Sequence, residues 1–406
     1  MDPLRNPYTP NAGAAPEVVV GRTDQLAAFD LLLARLKRGR SEQSMLITGL
    51  RGVGKTVLLG QFRKKALSSQ WVVIELEVSK HDDTAFRREI AARVRTALLE
   101  LSPRAKWNDR LRHAAAVLKS FHLTMDPEGN LTAGLDIDAA EGYGDHGDIA
   151  MDLTDLLTAL GEAAADRERG VVLLFDEVQF LDRGQLEALI TALHKIVQRE
   201  LPVTLVGAGL PQLAELAGDA KSYAERLFTF PSIGNLSAGD ARDALRLPAE
   251  AEDAGFTNEA LDRAVDITGG YPYFLQELGY AVWPLAEGPI IGLSDIDDAL
   301  PGYQEKLDQS FFRVRLDRTT ELQSAYLRAM AELGPGPQRS QDVAHLLGRT
   351  SPQIAPTRAE LINMGLLYTP EHGSAAFTVP HFDEYMRRAF PELRVPPLRS
   401  RKKSAS

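Results

Sequence analysis

Four residues in the stretch GLRGVGKT, namely Gly49, Gly54, Lys55 and Thr56, have the types and spacing of a phosphate-gripping loop. Glycine lets a backbone turn tightly and approach a phosphate with no Cβ in the way. A helix that starts where such a loop ends points its free N–H groups and positive dipole end at the anion. Leu50, Arg51, Gly52 and Val53 complete the loop and Val57 follows it, so residues 49–57 form the expected cradle. Within it Lys55 reaches the β- and γ-phosphates, and the Thr56 hydroxyl is a ligand for Mg²⁺.

The second chemical feature is VVLLFDEVQF, in which Asp176 and Glu177 end an apolar run. Burying two adjacent charges is costly, so they are expected at a strand tip that opens onto the loop. There Asp176 holds Mg²⁺, and Glu177 polarises the attacking water as general base. Gln179 stays open between orienting that water and a plain surface role.

The elements around these residues must bring them together. SMLITG has strand length, TVLLGQFRKKAL has helical spacing, and WVVIELEV is a further strand followed by the helical TAFRREIAARVRTALLEL. VVLLFD and PVTLVGAG are more strands, each separated by helices. This order implies a parallel sheet with helical crossovers. VVV before Gly21 reads as a short strand-like run, with a helix beginning near Thr23. A basic stretch, Lys80 to Lys119, precedes an acidic one, and FHLTMDPEGNLTAGLDID between them reads as an inserted hairpin. The charge contrast reads as two solvated faces or as a basic partner-binding face.

From Ser237 to Gln309 the chain is helical, with caps expected at Ser237 with Asp240, at Thr257, and at Ser294 with Asp297. Residues 320–390 run helix, capped helix, third helix, then a hairpin turning at Gly373, which reads as a winged helix. The expected organisation is an extended arm (1–17), a core (18–236) with a hairpin insertion at about 120–138, a lid (237–315), a winged helix (316–390) and a basic disordered tail (391–406).

Composition bounds the alternatives. The 406 residues carry a formal net charge of -10, which argues against a general nucleic-acid coat. Cysteine is absent, which excludes disulfides and thiolate metal sites and fits a reducing, cytoplasmic setting. The opening residues lack an apolar h-region and no run is long enough to span a membrane, so neither a signal peptide nor a membrane span is expected. The eight histidines are scattered without an H-E-x-x-H pair, and no G-x-S-x-G elbow occurs.

Taken together, NPYTPNAGAAPEVVVGR, GLRGVGKT, LLFDEVQFL, GAGLPQL, YAERLF and GGYPYFLQELGYAVW resemble P-loop ATPases of the AAA+ and STAND groupings, in particular the archaeal-ATPase and origin-recognition-like branch. The resemblance implies an α/β P-loop NTPase core of AAA+ type, a helical lid and a C-terminal winged helix-turn-helix domain. It implies ATP and Mg²⁺ as cofactors, with Val20, Gly21 and Arg22 flanking the adenine. Val20 reads equally as ordinary core, and Arg22 as a neighbour of a helix cap. Arg226 is the candidate arginine finger, or one half of a salt bridge with Glu225. Where AAA+ proteins often carry a polar sensor at a strand end, Gly207, Ala208 and Gly209 offer none. GGYPYFLQE lacks the second-sensor arginine of many lids, as in STAND proteins, where Pro272 would lie near the nucleotide and Tyr271 with it would couple the lid to nucleotide state. Both also read as a plain helix start.

The third helix of the winged region would place Gln353, Thr357 and Arg358, with Arg349 before it, in a DNA major groove. Yet residues 321–390 are near neutral, and only the tail is basic. The expected function is an ATP-hydrolysing switch whose nucleotide state controls a DNA- or protein-binding winged helix, and which works as a homo-oligomer if Arg226 acts in trans. The alternative is a slow signalling switch of STAND type that docks a protein partner and binds no DNA.

Overall fold

The computed structural model describes residues 1–397 apart from 12, 80–81, 103–105 and 124–136. Its centre is a parallel five-stranded sheet in the order β2-β3-β4-β1-β5, with β1 Ser44–Thr48, β2 Val72–Glu77, β3 Val171–Asp176, β4 Val203–Gly209 and β5 Phe228–Thr229. β1 and β4 are buried along their whole length, as the near-continuous apolar runs of a sheet covered on both faces require. Alternate side chains divide between the two covers because a strand repeats every two residues. Met45, Ile47, Val172, Leu174 and Val206 face one core together with helices α1 (Thr23–Lys37) and α2 (Lys55–Ser68). Leu46, Leu173, Phe175 and Leu205 face the other. That second cover is made by α3 (Asp83–Leu101), α4 (Asp109–Leu123), α5 (Ile149–Asp166), α6 (Arg183–Gln198), α7 (Leu213–Ala220) and the short α8 (Ala224–Leu227). The register pairs Ile47 with Ala208 and Leu173 with Leu205. The tips of β1, β4 and β3 therefore emerge side by side, with β4 in the middle.

The lid consists of α9 (Ala238–Ala251), α10 (Asn258–Thr268), α11 (Pro272–Val282) and α12 (Leu293–Lys306). Ser237 and Thr257 cap α9 and α10 through their side chains, as expected. The cap expected at Ser294 lies elsewhere: α12 starts at Leu293, and the Asp295 carboxylate accepts the Gly292 N–H at 2.7 Å. Aspartate serves there because it reaches back over the first turn to a glycine that has no side chain. The lid also holds two strands not foreseen, β6 (Gly255–Phe256) and β7 (Ile290–Ile291), paired in parallel.

A wide helical turn, Leu307–Phe312, and the short α13 (Arg313–Leu316) connect the lid to the last domain. That domain comprises α14 (Glu321–Leu333), β8 (Gln338–Arg339), α15 (Ser340–Leu346), α16 (Ser351–Asn363), β9 (Leu367–Tyr368), β10 (Ser374–Phe377) and α17 (Phe382–Ala389). Its antiparallel sheet runs β8-β10-β9, the winged-helix arrangement. One apolar core runs from the α1–α2 face of the sheet through the lid into this domain, so the three pack as neighbours. Stacked rings of Tyr273 and Phe311, centroids 4.5 Å apart, lie at the lid–connector contact.

Three other expectations are revised. Val18–Val20 are not a strand, because β5 already occupies the sheet edge beside β1. The inserted hairpin falls mostly on 124–136, outside the described residues; residues 120–123 are the last turn of α4. The start of the tail, expected to be disordered, is held, and the extended arm packs on the lid. Tyr8 is buried with its hydroxyl donating to Leu245 O, and Trp283 Nε1 donates to Asp2 O at 2.9 Å. Arg328 and Arg349 donate to the carbonyls of Phe390 and Pro396. Among the described residues no helix is long and apolar enough to cross a membrane.

Candidate functional site

The loop predicted to hold phosphates connects β1 to α2. Gly52 and Gly54 take φ values of 79° and 93°, which only glycine adopts without strain. Gly49 is needed for another reason: a Cβ there would lie 2.5 Å from Ile233 O. Lys55 is buried at the head of α2, and its ammonium donates to Gly49 O at 3.0 Å and Leu50 O at 2.8 Å. Burial pulls its pKa down, the Glu177 and Asp176 carboxylates pull it back up, and the Arg51 charge lowers it again.

The two features recognised separately in the sequence meet here. Thr56 Oγ1 donates to Asp176 Oδ2 at 2.5 Å, across 120 residues of chain. Asp176 ends β3, and its other oxygen accepts the Glu177 N–H at 2.8 Å. Burial raises the Asp176 pKa, the Thr56 and Glu177 hydrogen bonds oppose that rise, and the neighbouring Glu177 charge adds to it. Glu177 itself sits at φ 55°, a left-handed conformation rare outside glycine. Such strain is kept where the surroundings demand a particular side-chain direction.

Gln179 accounts for part of that demand. Its amide nitrogen donates to Glu177 Oε2, and its amide oxygen accepts the Leu210 N–H at 3.1 Å. The strand end Gly207–Gly209 lacks a polar side chain of its own, and the amide of Gln179 stands in that place. A Cβ on Gly209 would lie 2.7 Å from Gln179 Oε1, so the glycine makes room for it.

A cavity of about 730 Å³ lies above the loop. Its floor is residues 51–58 with Glu177; its walls come from the arm and Val18–Val20, from Leu236 at the entry to the lid, from lid residues including Ala244 and Pro272, and from the last domain at Met364–Leu366. Of the residues expected at the nucleotide, Val20, Arg22, Arg51 to Val57, Glu177 and Pro272 line it. Gly49 and Leu50 lie behind it as acceptors for Lys55. Gly21 is outside the lining and packs on the lid, where a Cβ would come within 2.9 Å of Asp240 Oδ2. Arg22 occupies the N-cap position of α1 without capping it through its side chain; its guanidinium instead donates to Val53 O at 3.1 Å and Gly234 O at 2.7 Å, pinning the loop to the segment that enters the lid. Tyr271 is fully buried beneath the loop, with its ring against Gly52.

Arg226 is not at the site of its own chain. It precedes β5, whose Phe228 pairs with Ser44 at the foot of β1, and Gln43 donates to its carbonyl. The phosphate loop leaves β1 at the other end, roughly 15 Å away at the rise of a strand. Among the described residues Arg226 forms no ion pair with Glu225 or any other carboxylate, so the salt-bridge alternative is set aside.

The expected DNA-facing residues are also placed differently. Thr357 is buried in the core of the last domain. Arg358 donates to Thr369 Oγ1 at 3.1 Å and Ser374 O at 2.5 Å, tying α16 to the hairpin. Gln353 closes the capping box with Thr350, and Arg349 holds Pro396. The helical period turns Thr357 and Arg358 inward, and the exposed positions of α16 carry Pro352, Gln353, Ala355, Pro356, Ala359, Glu360 and Asn363, with no cation.

Sequence reasoning missed Arg315 and Arg318, which line the cavity from α13 and the turn after it. They lie in a stretch with no motif, more than 250 residues from the loop, and only the fold brings them back to it.

Comparisons with known proteins bear on the family and the fold. Residues 18–206 match the AAA ATPase domain family, and residues 309–386 match a domain family of unknown function. The segment 18–206 is thus an AAA+ P-loop ATPase domain. The fold is shared with the Walker-type ATPase PABY2304 of Pyrococcus abyssi, at 15% identity, covering 92% of this chain and 97% of that one, with a TM-score of 0.54. Weaker structural matches include the Aeropyrum pernix Orc1 protein in complex with DNA (15% identity, 92% and 94% covered, TM-score 0.46). Another is Cdc6p from Pyrobaculum aerophilum (14% identity, 97% and 99% covered, TM-score 0.47). No curated protein sequence matches the chain.

Proposed function

We propose that this protein binds ATP with Mg²⁺ in the cavity between core, lid and last domain, hydrolyses it, and uses the nucleotide state to set how the winged-helix domain is held. One observation carries the reading: the Thr56 hydroxyl and the Asp176 carboxylate are 2.5 Å apart, with Glu177 next in the chain and lining the same cavity. A hydroxyl and a carboxylate are the hard oxygen donors Mg²⁺ takes when phosphates complete its shell. The metal would supply charge neutralisation at the phosphates. Lys55 would exchange its two carbonyl acceptors for phosphate oxygens, and Glu177, held by Gln179, would accept a proton from the attacking water. The adenine would lie toward Val20, Leu236 and Ala244, the apolar wall, with Arg22 fixing the loop behind it.

The winged-helix domain is the output. Its Thr378 carbonyl accepts the Arg51 N–H of the phosphate loop at 3.2 Å, so loop and output domain touch directly. The cation-free exposed face of α16 favours a protein partner over duplex DNA, as in a slow switch of STAND type. Duplex DNA is the second reading, in which the basic tail would provide the phosphate contacts. Labelled ATP binding and phosphate release by the wild type and Glu177→Gln test the core of this reading. We expect Glu177→Gln to keep ATP and lose release. No uptake of nucleotide by the wild type would overturn it.

A further inference from the structure

The cavity is lined by five cationic side chains, Arg22, Arg51, Lys55, Arg315 and Arg318, and by one carboxylate, Glu177. Arg22 and Lys55 are accounted for, since they hold carbonyls of the loop and its neighbour. Arg51 and Arg318 have no such anchor among the described residues, and Arg315 holds only the Phe311 carbonyl of its own connector. Among the described residues none of them has an ion-pair partner, although Arg313 on the same short helix pairs with Asp317 at 3.9 Å and Arg388 nearby pairs with Asp308 at 2.7 Å. Arg51 Nε is buried without a hydrogen-bond partner, and its terminal nitrogen lies against Gly365, where an added Cβ would come within 2.4 Å. The Arg315 guanidinium stacks over the Phe311 ring, 4.0 Å from the centroid, and one nitrogen donates to Phe311 O. The Tyr271 hydroxyl beside them is fully buried and also lacks a partner.

Like charges gathered at a cavity wall repel unless an anion lies between them. Burial lowers the Arg315 pKa, and the Arg51 charge lowers it further, so the two guanidinium groups sense each other. The inner phosphates have their donors already, in the loop N–H groups, the head of α2 and Lys55. Arg51 comes from the loop and Arg315 from the connector on the far side.

We propose that Arg51 and Arg315, with Arg318 at the exposed rim, form a clamp within one chain for the terminal phosphate of a nucleoside triphosphate, and so make the site prefer triphosphate to diphosphate. This inference rests on the nucleotide-site reading above. Guanidinium suits the task because its planar fork donates in pairs to phosphate oxygens and keeps its charge when partly buried. The clamp joins the P-loop to the stretch between lid and winged-helix domain, so only the triphosphate would tie the two together.

Equilibrium titrations of the full chain with Mg²⁺ and either ADP or a non-hydrolysable imido-triphosphate test it. In the wild type the triphosphate binds more tightly than ADP. In Arg315→Ala, and independently in Arg51→Ala, triphosphate affinity is expected to fall about tenfold or more, the worth of one lost charge-assisted hydrogen bond. ADP affinity stays within about threefold, which also shows that the variants are folded. Arg315→Lys keeps part of the preference. Equal losses for the two nucleotides, or no loss in either variant, would overturn the clamp. If the wild type binds neither nucleotide, the site reading itself falls.

Discussion

Thr56 and Asp176 lie 2.5 Å apart, oxygen to oxygen, at the mouth of a sheet in which β4 separates β3, which ends at Asp176, from β1, whose loop leads to Thr56 on α2. The contact is possible because β1 and β3 end level with β4 and α2 starts directly over the gap. A hydroxyl donating to a carboxylate keeps both oriented for a metal that would replace the hydroxyl hydrogen bond. Thr56→Val is therefore expected to keep metal-free nucleotide binding within a few-fold and to abolish the gain that Mg²⁺ brings. Titration of nucleotide with and without Mg²⁺ measures it, and a variant that still responds fully to the metal would exclude Thr56 as a ligand.

Asp176 carries a pH signature. Burial is the largest cause of its shift, and the folded-state pKa lies above the ordinary value of 3.8. A carboxylate so raised binds protons more readily folded than unfolded. Its ionisation weakens the fold as pH climbs from about 3.8 to the raised value, and the full penalty is present above that. Asp176→Asn removes the penalty. At neutral pH the nucleotide-free variant should melt at a higher temperature than the wild type, while losing Mg²⁺-dependent nucleotide binding. Thermal denaturation at pH 7 checks the sign, and a lower Tm would show that Asp176 stabilises the fold through its hydrogen bonds.

Gln179 bridges Glu177 and Leu210 N, which makes it a positioning residue for the proposed base. Gln179→Ala should lower kcat by roughly 10-fold to 100-fold, within the range of a general base left unaligned, and leave KM almost unchanged. Gln179→Asn, one carbon shorter, should not restore the rate. A change in KM alone would assign Gln179 to ground-state binding.

The legible part of this molecule was what chemistry requires locally. Glycines at 49, 52 and 54, the lysine and threonine after them, and paired acids after five apolar residues each have a local physical reason, so the loop, the strand tip and their partnership could be read in advance. What could not be read is which way a side chain turns once tertiary packing chooses. Thr357 and Arg358 look like surface residues on an isolated helix, but α16 packs against α14 and the hairpin through that side. Arg315 carries no motif, and its role depends on a connector folding back over a loop far earlier in the chain. Gln179 reads ambiguously in the sequence because its value depends on Gly209, thirty residues on, lacking a side chain.

The arm illustrates the same limit and gives a stability prediction. NPYTPNAGAAP reads only as extended arm, with no sign of what it packs on, yet Tyr8 is 1% exposed, its ring meets Trp283 edge-on at 6.2 Å, and Gly279 is a glycine because a Cβ would lie 2.7 Å from that ring. Tyr8→Ala should cost about 3–5 kcal/mol, the usual loss for a large buried ring. Because residues 9–11 line the cavity just beyond, nucleotide affinity should fall with it. Denaturant unfolding measures the first effect. An unfolding free energy unchanged within 1 kcal/mol would mean that the arm does not hold the lid.

Arg226 lies at the foot of the sheet, so any part it plays in phosphoryl transfer must be on a neighbouring copy. It is exposed and has no ion-pair partner among the described residues, which leaves the guanidinium free to reach outward. An arginine supplied in trans makes the rate per chain rise with protein concentration, because sites are completed only on assembly. The wild-type rate per chain is expected to climb over the range in which the protein associates, as followed by light scattering. Arg226→Ala should associate equally, start from the same rate when dilute, and fail to climb. If both proteins climb alike, the neighbour contributes something other than Arg226. If neither climbs, Arg51 and Arg315 suffice within one chain, and hydrolysis is a property of the monomer.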